Sequence, residues 1–396
     1  MIQLFINSMT SGGAEKVVLT LLEQFQQAEQ SVELCCIERE QFYDIPKDIP
    51  VHYLSEHESL AHSWWKIPHL FLCAWKLKQW TDAHQVPIVQ SHLLRATFIN
   101  AIAKRMGARY RAQVVLHSRI NFDHRPWWHR QVAKWLYRKA LQEADSVVSI
   151  CQSMKLELDE YLQLKDHPNH QAIYNPHPLD SIRQKAAAHI SSFAFQPKTD
   201  YIISVGRLVK GKRLDDLLRA FHRLRGSTPR DIALLIIGEG DQQGTLEALA
   251  HELGIKENVH FLGYQQNPFA YIARSQVLVL SSEWEGLPNV LIEALACETA
   301  VISSDCISGP REILYPQSDL QKQLVDEWEK GPYGWLYPVG RWELLADCLA
   351  QLLADPTSRQ ALEVNGVKRA QDFAAEHIAQ QYLSSLGIPS SRKTSV

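Results

Sequence analysis

Short runs of apolar residues alternate with amphipathic helical segments along nearly the whole chain. In the first half these runs read IQLFI, VELCCI, VHYL, PIVQSH, AQVVLHS, DSVVSI and QAIYN. In the second half they read YIISVG, IALLIIG, NVHFLG, QVLVLSS and TAVISSD. Alternation of strands with helices is typical of parallel sheets that carry helices on their faces. The pattern therefore predicts an α/β protein with two doubly wound parallel sheets.

The length of the chain agrees with this division. At 396 residues it is long for a single hydrophobic core, so two domains are expected. The irregular stretch NPHPLDSIRQKAAAHISSFAFQPKTD is predicted to connect them. We expect a first domain over residues 1–180, a linker over 181–200, a second domain over 201–370, a helix over 371–388 that crosses back to the first domain, and a flexible tail over 389–396.

Several classes of protein do not fit the sequence. No run of about 18 apolar residues occurs, so no transmembrane helix is predicted. The segment MIQLFINSMTSGGAEK lacks a basic region followed by an apolar one, so it does not resemble a signal peptide. Seven cysteines without regular spacing favour reduced thiols and a cytoplasmic protein, and no Cys/His set has the spacing of zinc ligands.

Positive charge is concentrated in one segment, although the formal net charge of the chain is only −3. Between residues 95 and 139, eleven Lys or Arg residues accompany a single acid, a local balance of +10. Basic residues interleaved with Trp on one helix suit an anionic membrane surface. Two alternatives stay open: nucleic acid, although no nucleic-acid motif accompanies the charge, and a solvated helix face with its Trp residues packed inward. The predicted membrane and acceptor patch consists of Trp127, Trp128, Arg130, Lys134, Trp135 and Arg138.

The segment SSEWEGLPNVLIEALACETAVISSD places one carboxylate just before a predicted helix and a second within it. Pro288 fits the first helical position, where its missing N–H would have no partner. Gly286 lets the backbone approach a ligand closely. The unpaired N–H groups and the positive dipole end of such a helix suit a phosphate. With Glu285 and Glu293 as acceptors for hydroxyl groups, the segment predicts a sugar-nucleotide site; the alternative is a solvated Glu285 and a Glu293 paired with a core arginine.

Five segments, in this order, resemble the family 4 retaining glycosyltransferases of the GT-B fold. They are SGGAEKVVLTL, VVLHSRIN, VGRLVKGKRLDDLLRAF, LIIGEGDQQGTLEALAHELGIKENVHFLGY, and the segment above with its Glu-x7-Glu spacing. SSDCISGPREIL followed by GPYGWLYPVG resembles the subgroup that builds lipid-linked bacterial glycans, including N-acetylgalactosaminyl and other hexosyl transferases. The resemblance covers almost the full chain and implies two Rossmann-like domains that face a central cleft.

The resemblance implies four residues that take part in the reaction. His117 would contact a sugar hydroxyl or the reacting centre, and Glu285 would lie near the sugar hydroxyls. Arg207 and Lys212 would neutralise the leaving nucleoside diphosphate through charge-assisted contacts. The alternatives are a structural role for His117 and surface salt bridges for the two bases. Arg213 stands where the family commonly has Gly.

The implied donor-binding residues lie on glycine-rich loops and at helix starts. Gly12 and Gly13 would bring backbone N–H groups to the diphosphate, although a Gly pair by itself is more often a turn. Glu293 would bind the ribose, and the loops at 238–240 and 263–264 would flank the base. The full set is Gly12, Gly13, Gly238, Gly240, Gly263, Tyr264, Gly286, Leu287, Asn289, Val290 and Glu293.

The implied reaction is transfer, with retention, of a hexose or N-acetylhexosamine from a nucleotide sugar, favoured to be UDP-linked. The acceptor would be a polyprenyl-diphosphate-linked saccharide for capsule, O-antigen or glycoprotein glycan, at the inner face of the cytoplasmic membrane. No Asp-x-Asp occurs, so no metal and no cofactor is expected, and no nucleic acid is expected as a partner. The alternatives are a GT-B sugar-nucleotide epimerase and an inactive binding subunit of a glycan-assembly complex.

Overall fold

The computed structural model describes residues 1–10, 12–55, 66–120, 126–164, 167 and 169–389. Ser11 of the SGG motif and all but the first residue of the predicted tail therefore lie outside the described residues. The chain forms two compact units. The first consists of Met1–Pro176 together with Ala375–Val396, and the second of His177–Ala374.

The first unit is built around a parallel sheet. Its described strands pair in the order β3-β2-β1-β4-β5-β6-β7, and each neighbouring pair is parallel. The last helix, α14, packs against α1. The elements are β1 (Ile2–Ile6), α1 (Gly13–Gln27), β2 (Val32–Cys36), β3 (Val51–Tyr53), α2 (Lys66–Ala83), β4 (Ile88–His92), α3 (Leu94–Arg105), β5 (Arg111–Leu116), α4 (Trp127–Gln142), β6 (Ser146–Ser149), α5 (Gln152–Tyr161), β7 (His170–Ala172) and α14 (Ala375–Ser385).

The second unit repeats this plan. Its described strands pair in the order β10-β9-β8-β11-β12-β14-β13, and only the β13–β14 pair is antiparallel. Helices α7 and α12 pack together over the sheet and enclose its main core. The elements are α6 (Leu179–Ala186), β8 (Asp200–Val205), α7 (Leu214–Ser227), β9 (Ile232–Ile237), α8 (Gln243–Glu252), β10 (Val259–Phe261), α9 (Phe269–Ile272), β11 (Val277–Leu280), α10 (Asn289–Ala296), β12 (Ala300–Ser304), α11 (Pro310–Leu314), β13 (Glu329–Lys330), β14 (Trp335–Tyr337), α12 (Trp342–Ala354) and α13 (Pro356–Ala370).

The prediction of two doubly wound parallel sheets is confirmed. Strands β13 and β14 are not predicted from the sequence, and α6 extends to Ala186, into the predicted linker over residues 181–200. The final helical part is interrupted by a 3₁₀ turn at Gln371–Phe373. Among the described residues, no helix combines the length and apolar character needed to cross a membrane.

The strand orders indicate where each unit can bind a ligand. Ligands of doubly wound sheets bind beyond the carboxyl ends of the strands, where the strand order reverses. In the first unit the reversal lies between β1 and β4, and in the second it lies between β8 and β11. The loops after β1, β8 and β11 contain six of the predicted site residues, namely Gly12, Arg207, Lys212, Glu285, Gly286 and Leu287.

Candidate active site

The loops after β8 and β11 bring a lysine and a glutamate into contact. Lys212 ends a 3₁₀ turn that follows β8, and its Nζ lies 2.5 Å from Oε1 of Glu285, which follows β11. The hydroxyl of Ser282 donates to the same Oε1 at 2.6 Å. The side chains of the ion pair are only 26% and 13% exposed, so salt in the solvent screens their attraction less than that of a surface pair. Two donors therefore hold the carboxylate of Glu285 in place.

Serine hydroxyls fix the backbones that carry this pair. Ser281 donates to the backbone carbonyl of Lys212 at 2.7 Å, which joins the loop after β11 to the loop after β8. Ser304, at the end of β12, donates to the carbonyl of Ser282 at 2.7 Å. Sequence reasoning did not identify these serines, because nothing in their spacing distinguishes them from ordinary loop residues.

Arg207 lines the same pocket as Lys212. The pocket is bounded by the carboxyl ends of β8, β9 and β11. The Arg207 side chain is exposed, and its guanidinium forms no hydrogen bond or ion pair with the part of the chain that the structure describes. The two predicted bases thus lie together at the point where the strand order reverses, one paired and one directed to solvent.

The backbone conformation of Arg213 is one that favours Gly, the residue that the family commonly has at this position. Its backbone is left-handed, with φ 47° and ψ 43°, a conformation that costs a non-glycine residue about 1–2 kcal/mol. Its Nε donates to Oδ2 of the buried Asp216 at 2.6 Å. This hydrogen bond offsets part of the backbone strain, and the turn that positions Lys212 is kept without glycine.

Two of the predicted donor-binding glycines allow neighbouring loops to touch. A Cβ on Gly238, whose φ is +135°, would lie 1.9 Å from the carbonyl oxygen of Gly206. A Cβ on Gly240 would lie 2.2 Å from the carbonyl oxygen of Leu208. The loop after β9 is thereby pressed against the loop that carries Arg207. Glycine is required here by packing, whether or not the loop also contacts a base.

The start of α10 is fixed in a similar way. Helix α10 begins at Asn289, and Pro288, with ψ 96°, precedes the helix, so the prediction of Pro288 as the first helical residue is wrong by one position. Gly309, with φ +73°, belongs to the next loop. A Cβ on Gly309 would lie 2.3 Å from the carbonyl oxygen of Gly286 and 2.6 Å from Cδ of Pro288. The segment that carries Gly286, Leu287, Asn289 and Val290 is therefore held by direct backbone contact.

Glu293 and Tyr264 are the predicted ribose and base contacts. Glu293 is half-buried on α10. Burial and then the charge of Glu293 raise the pKa of Cys297 to about 12, so this cysteine remains a thiol at neutral pH. Tyr264 follows Gly263, is 49% exposed, and its backbone N–H donates to Oε1 of Glu239 at 3.4 Å. The half-exposed ring of Tyr264 thus lies three residues beyond the end of β10.

In the first unit, the carboxylate of Glu15 lies against Gly12 at the start of α1. Gly12 precedes α1, and a Cβ on Gly12 would lie 2.0 Å from Oε2 of Glu15. The hydroxyl of Thr10 donates to the other oxygen of Glu15 at 3.0 Å. The carboxylate therefore covers the positive start of α1, next to Gly13. A phosphate at this helix start would have to move Glu15 aside.

His117 forms part of a histidine pair. His117 follows β5, and its Nε2 lies 2.8 Å from Nδ1 of His92 at the end of β4. Burial lowers the pKa of His117 to about 4 and holds the pKa of His92 well below its usual range. Both rings are therefore neutral near physiological pH. The sequence contains one signal of this pair, since the runs PIVQSH and QVVLH both end in His.

Helix α4 presents its Trp residues to solvent. Trp127, Trp128 and Trp135 are 70%, 60% and 57% exposed, so the alternative in which they pack inward is wrong. The basic members of the patch are half-buried. These bases are Arg130, Lys134 and Arg138. The Nζ of Lys134 lies 3.4 Å from the centroid of the Tyr161 ring. The guanidinium of Arg138 donates to the side chain of Gln163 at 2.8 Å. Helix α2 adds further exposed apolar side chains, namely Ile67, Phe71, Leu72 and Trp75.

The structure thus divides the four residues assigned to the reaction. Arg207, Lys212 and Glu285 lie together in the second unit, and His117 lies in the first. Over the residues that are described, no group of three or more His, Cys, Asp or Glu side chains is placed to hold a metal ion.

Similarity to known proteins extends along nearly the full chain. Residues 11–180 match the family described as Glycosyltransferase Family 4, and residues 187–369 match Glycosyl transferases group 1. The chain is 31% identical over 392 residues to the N-acetylgalactosamine-N,N'-diacetylbacillosaminyl-diphospho-undecaprenol 4-alpha-N-acetylgalactosaminyltransferase of Campylobacter jejuni, covering 97% of this chain and 98% of that protein.

A second Campylobacter jejuni relative is the GalNAc-alpha-(1->4)-GalNAc-alpha-(1->3)-diNAcBac-PP-undecaprenol alpha-1,4-N-acetyl-D-galactosaminyltransferase. It is 26% identical over 385 residues, which cover 96% of this chain and 97% of that protein. Among solved structures, the Anabaena protein HepE in complex with UDP superposes with a TM-score of 0.73 at 20% identity, covering 98% of this chain and 99% of that one.

Proposed function

This chain belongs to glycosyltransferase family 4, with a group 1 domain, and we propose that it moves an N-acetylhexosamine or hexose from a UDP-sugar to a polyprenyl-diphosphate-linked saccharide. The observation that carries the proposal is the pocket beyond β8 and β11. It places Lys212, Arg207 and Glu285 together where a doubly wound sheet binds its ligand.

The charges of this pocket suit a departing diphosphate. As the bond between the anomeric carbon and the phosphate oxygen breaks, negative charge grows on the diphosphate. Arg207 and Lys212 stabilise that charge, together with the positive start of α10. The acceptor hydroxyl attacks from the same face, and the departing phosphate oxygen takes its proton, which gives retention. The bases and the helix start supply the positive charge, and no metal takes part.

The remaining site residues bind the rest of the donor. Glu285, already aligned by Ser282, accepts hydrogen bonds from sugar hydroxyls. Glu293 accepts from the ribose hydroxyls. The loops at 238–240 and 263–264 flank the base, and Gly12 and Gly13 approach the diphosphate once the side chain of Glu15 has moved aside. We assign His117 to a hydroxyl of the donor sugar. UDP is the favoured nucleotide because the subgroup that the sequence resembles mostly uses UDP-sugars, and HepE, a relative in fold, was solved with UDP.

The names of the relatives support a lipid-linked acceptor. Both Campylobacter proteins are named for undecaprenol-linked diphosphate substrates. A protein that uses such an acceptor must reach the membrane surface, and α4 offers exposed Trp rings with bases beside them. Trp side chains favour the headgroup region, and each nearby base contributes about 1 kcal/mol at an anionic surface. We therefore propose peripheral binding at the cytoplasmic face of the membrane.

A transfer assay tests the proposal. UDP-GalNAc, UDP-GlcNAc, UDP-glucose and UDP-galactose are each incubated with a polyprenyl-diphosphate-linked saccharide, and the lipid product is identified by mass spectrometry. We expect extension by one sugar with an α-linkage, and the same yield in excess EDTA. Loss of activity in EDTA that magnesium or manganese restores would contradict the metal-free mechanism. An isomerised nucleotide sugar formed without acceptor would indicate an epimerase instead.

A further inference from the structure

We propose that His92 fixes the tautomer of His117, so that His117 presents an unprotonated Nδ1 to the donor sugar. His92 acts as a positioning residue, and it is itself oriented by a chain of side chains that ends on helix α14. The functional part of this inference rests on the assignment of His117 to the donor sugar.

The chain of hydrogen bonds begins at a backbone carbonyl. The hydroxyl of Ser385 donates its only proton to the carbonyl oxygen of Tyr382 at 2.6 Å, and a carbonyl can only accept. Ser385 Oγ must therefore accept from Gln113, whose amide group lies 2.9 Å away. The group of Gln113 that faces α14 is thus its NH₂, Nε2, which also donates to Ser146 at 2.8 Å.

The same direction of hydrogen-bond donation continues through the side-chain amides of Gln113 and Gln90 to the histidines. Oε1 of Gln113 faces Gln90 at 2.5 Å, so Gln90 presents its Nε2 there. Oε1 of Gln90 then faces Nε2 of His92 at 3.1 Å, and that nitrogen must carry the proton. A neutral imidazole has one N–H, so Nδ1 of His92 accepts from Nε2 of His117. His117 is left with a bare Nδ1.

Burial makes the polarity hard to reverse. Gln90, His92 and Gln113 are all fully buried, so water cannot replace the donors that these three side chains supply. The low pKa of about 4 keeps His117 neutral at physiological pH. Among the described residues, none forms a hydrogen bond with Nδ1 of His117, which remains available as an acceptor. A sugar hydroxyl that donates to this nitrogen keeps both of its own lone pairs free.

Nitrogen NMR of the full-length protein labelled with ¹⁵N-histidine measures the tautomer directly. The resonances of His117 are assigned by their loss in His117→Gln, and protonated and bare ring nitrogens differ widely in chemical shift. We expect a protonated Nε2 and a bare Nδ1 in the wild-type protein. A proton on Nδ1 of His117 would overturn the proposal, whatever the variants do.

A near-isosteric change should reverse the chain. Gln90→Glu gives His92 a carboxylate, which favours the imidazolium form of His92. Both nitrogens of His92 then donate, Nε2 of His117 must accept, and its proton moves to Nδ1. Gln171→Glu, the same change on β7 of the same unit, should leave the tautomer unchanged. Retention of the wild-type tautomer in a folded Gln90→Glu variant, at a pH at which ¹³C NMR shows the introduced carboxyl group to be ionised, would also contradict the proposal.

Kinetics separates this inference from the proposed function. Loss of one neutral hydrogen bond to the sugar should lower kcat/KM for transfer about fivefold in Gln90→Glu and not in Gln171→Glu. A reversed tautomer with unchanged kcat/KM would show that His92 sets the tautomer but that His117 does not contact the donor. The transfer assay with wild-type protein is independent of both variants, so its failure would concern the proposed function alone.

Discussion

Several single residues in the second unit act by holding other residues. Glu285 accepts from Lys212 and Ser282 on the same oxygen, so its position depends on both donors. Arg207 has no comparable partner among the described residues. The two bases therefore differ in what their removal does to the folded protein, although both are assigned to the diphosphate.

Removal of either base should strongly reduce turnover. Arg207→Ala and Lys212→Ala are each expected to lower kcat by about 10²–10³, the usual effect of losing an electrostatic stabiliser of the transition state. Steady-state transfer kinetics measures the loss. Lys212→Ala should also lower the melting temperature slightly, because Glu285 loses a partner. Lys210→Ala, in the same 3₁₀ turn, serves as the control. A folded Arg207 or Lys212 variant with more than about a tenth of wild-type turnover would argue against the role.

Glu293→Gln should weaken the binding of the nucleotide itself. A hydrogen bond to the ribose exists before the reaction begins, so the loss appears with free UDP as well as with the donor. Replacement of a charged acceptor by a neutral one is expected to cost about 1.5 kcal/mol, or about a tenfold rise in Kd. Isothermal titration calorimetry with UDP checks this, with Glu298→Gln as the control. Unchanged affinity for UDP would exclude the ribose contact.

The residues that sequence reasoning found are those with an unusual type or spacing. Lys212 and Glu285 lie in long motifs, so the resemblance identified them. Ser282 could not be found, because a serine after a strand is common and its role depends on the rotamer of Glu285. The contact of His92 with His117 depends on the pairing of β4 with β5. An interpretation that treats each strand separately does not contain this pairing.

At the level of secondary-structure elements, close backbone contacts between loops fix the shape of the site. A Cβ would collide with a carbonyl oxygen of a neighbouring loop at each of three glycines, Gly238, Gly240 and Gly309. These contacts place the loop after β9 against the loop after β8, and the loop after β12 against the segment that precedes α10. The shape of the site therefore depends on positions that carry no functional group.

Gly309→Ala should disturb the start of α10. Its φ is +73° and the new Cβ would overlap the carbonyl of Gly286, so the loop before the helix must move. We expect a loss of about 1–3 kcal/mol of stability, together with weaker UDP binding. Thermal melting with and without UDP measures both effects. Gly226→Ala, where a Cβ meets no atom within 4 Å, is the matched control and should leave UDP binding unchanged. Equal UDP affinity of Gly309→Ala and wild type would show that this loop does not shape the site.

Long apolar runs were sufficient to predict the central strands of both sheets. The missed strands, β13 and β14, contain two and three residues, which is too short for any periodic signal. Residues 181–186 of α6 are predicted as linker because the stretch has no regular apolar pattern, and only Leu179 and Ile182 of the eight residues of the helix are buried. Such weak segments take their structure from the neighbours against which they pack, as α6 does against α9 and α10.

At the scale of the whole molecule, the proposed membrane contact carries three exposed Trp side chains on α4, Trp127, Trp128 and Trp135. Reversal of charge at Arg130, Lys134 and Arg138 should greatly weaken binding to anionic liposomes at low salt, and the difference from wild type should shrink as salt rises. Cosedimentation with phosphatidylglycerol vesicles measures this.

Two further variants divide the membrane effect into its parts. Replacement of Trp127, Trp128 and Trp135 by Ala should weaken binding at low and high salt alike, since ring insertion is not screened. Charge reversal of Arg219, Arg223 and Arg225 on α7 changes the net charge equally but lies in the second unit, so it should leave binding unchanged. Equal binding of wild type and the α4 charge-reversal variant would show that these bases do not contribute to membrane binding.

The first unit is assembled from two segments that flank the second unit in sequence. A ribosome completes His177–Ala374 before Ala375–Ser385 has been made, so the second unit can fold during synthesis while the first still lacks α14. Until that helix arrives, α1 has no α14 to pack against, and Gln113 has no hydrogen bond to Ser385. The first unit therefore begins to be translated first but is completed last. While it lacks α14, it exposes surface to which a chaperone can bind.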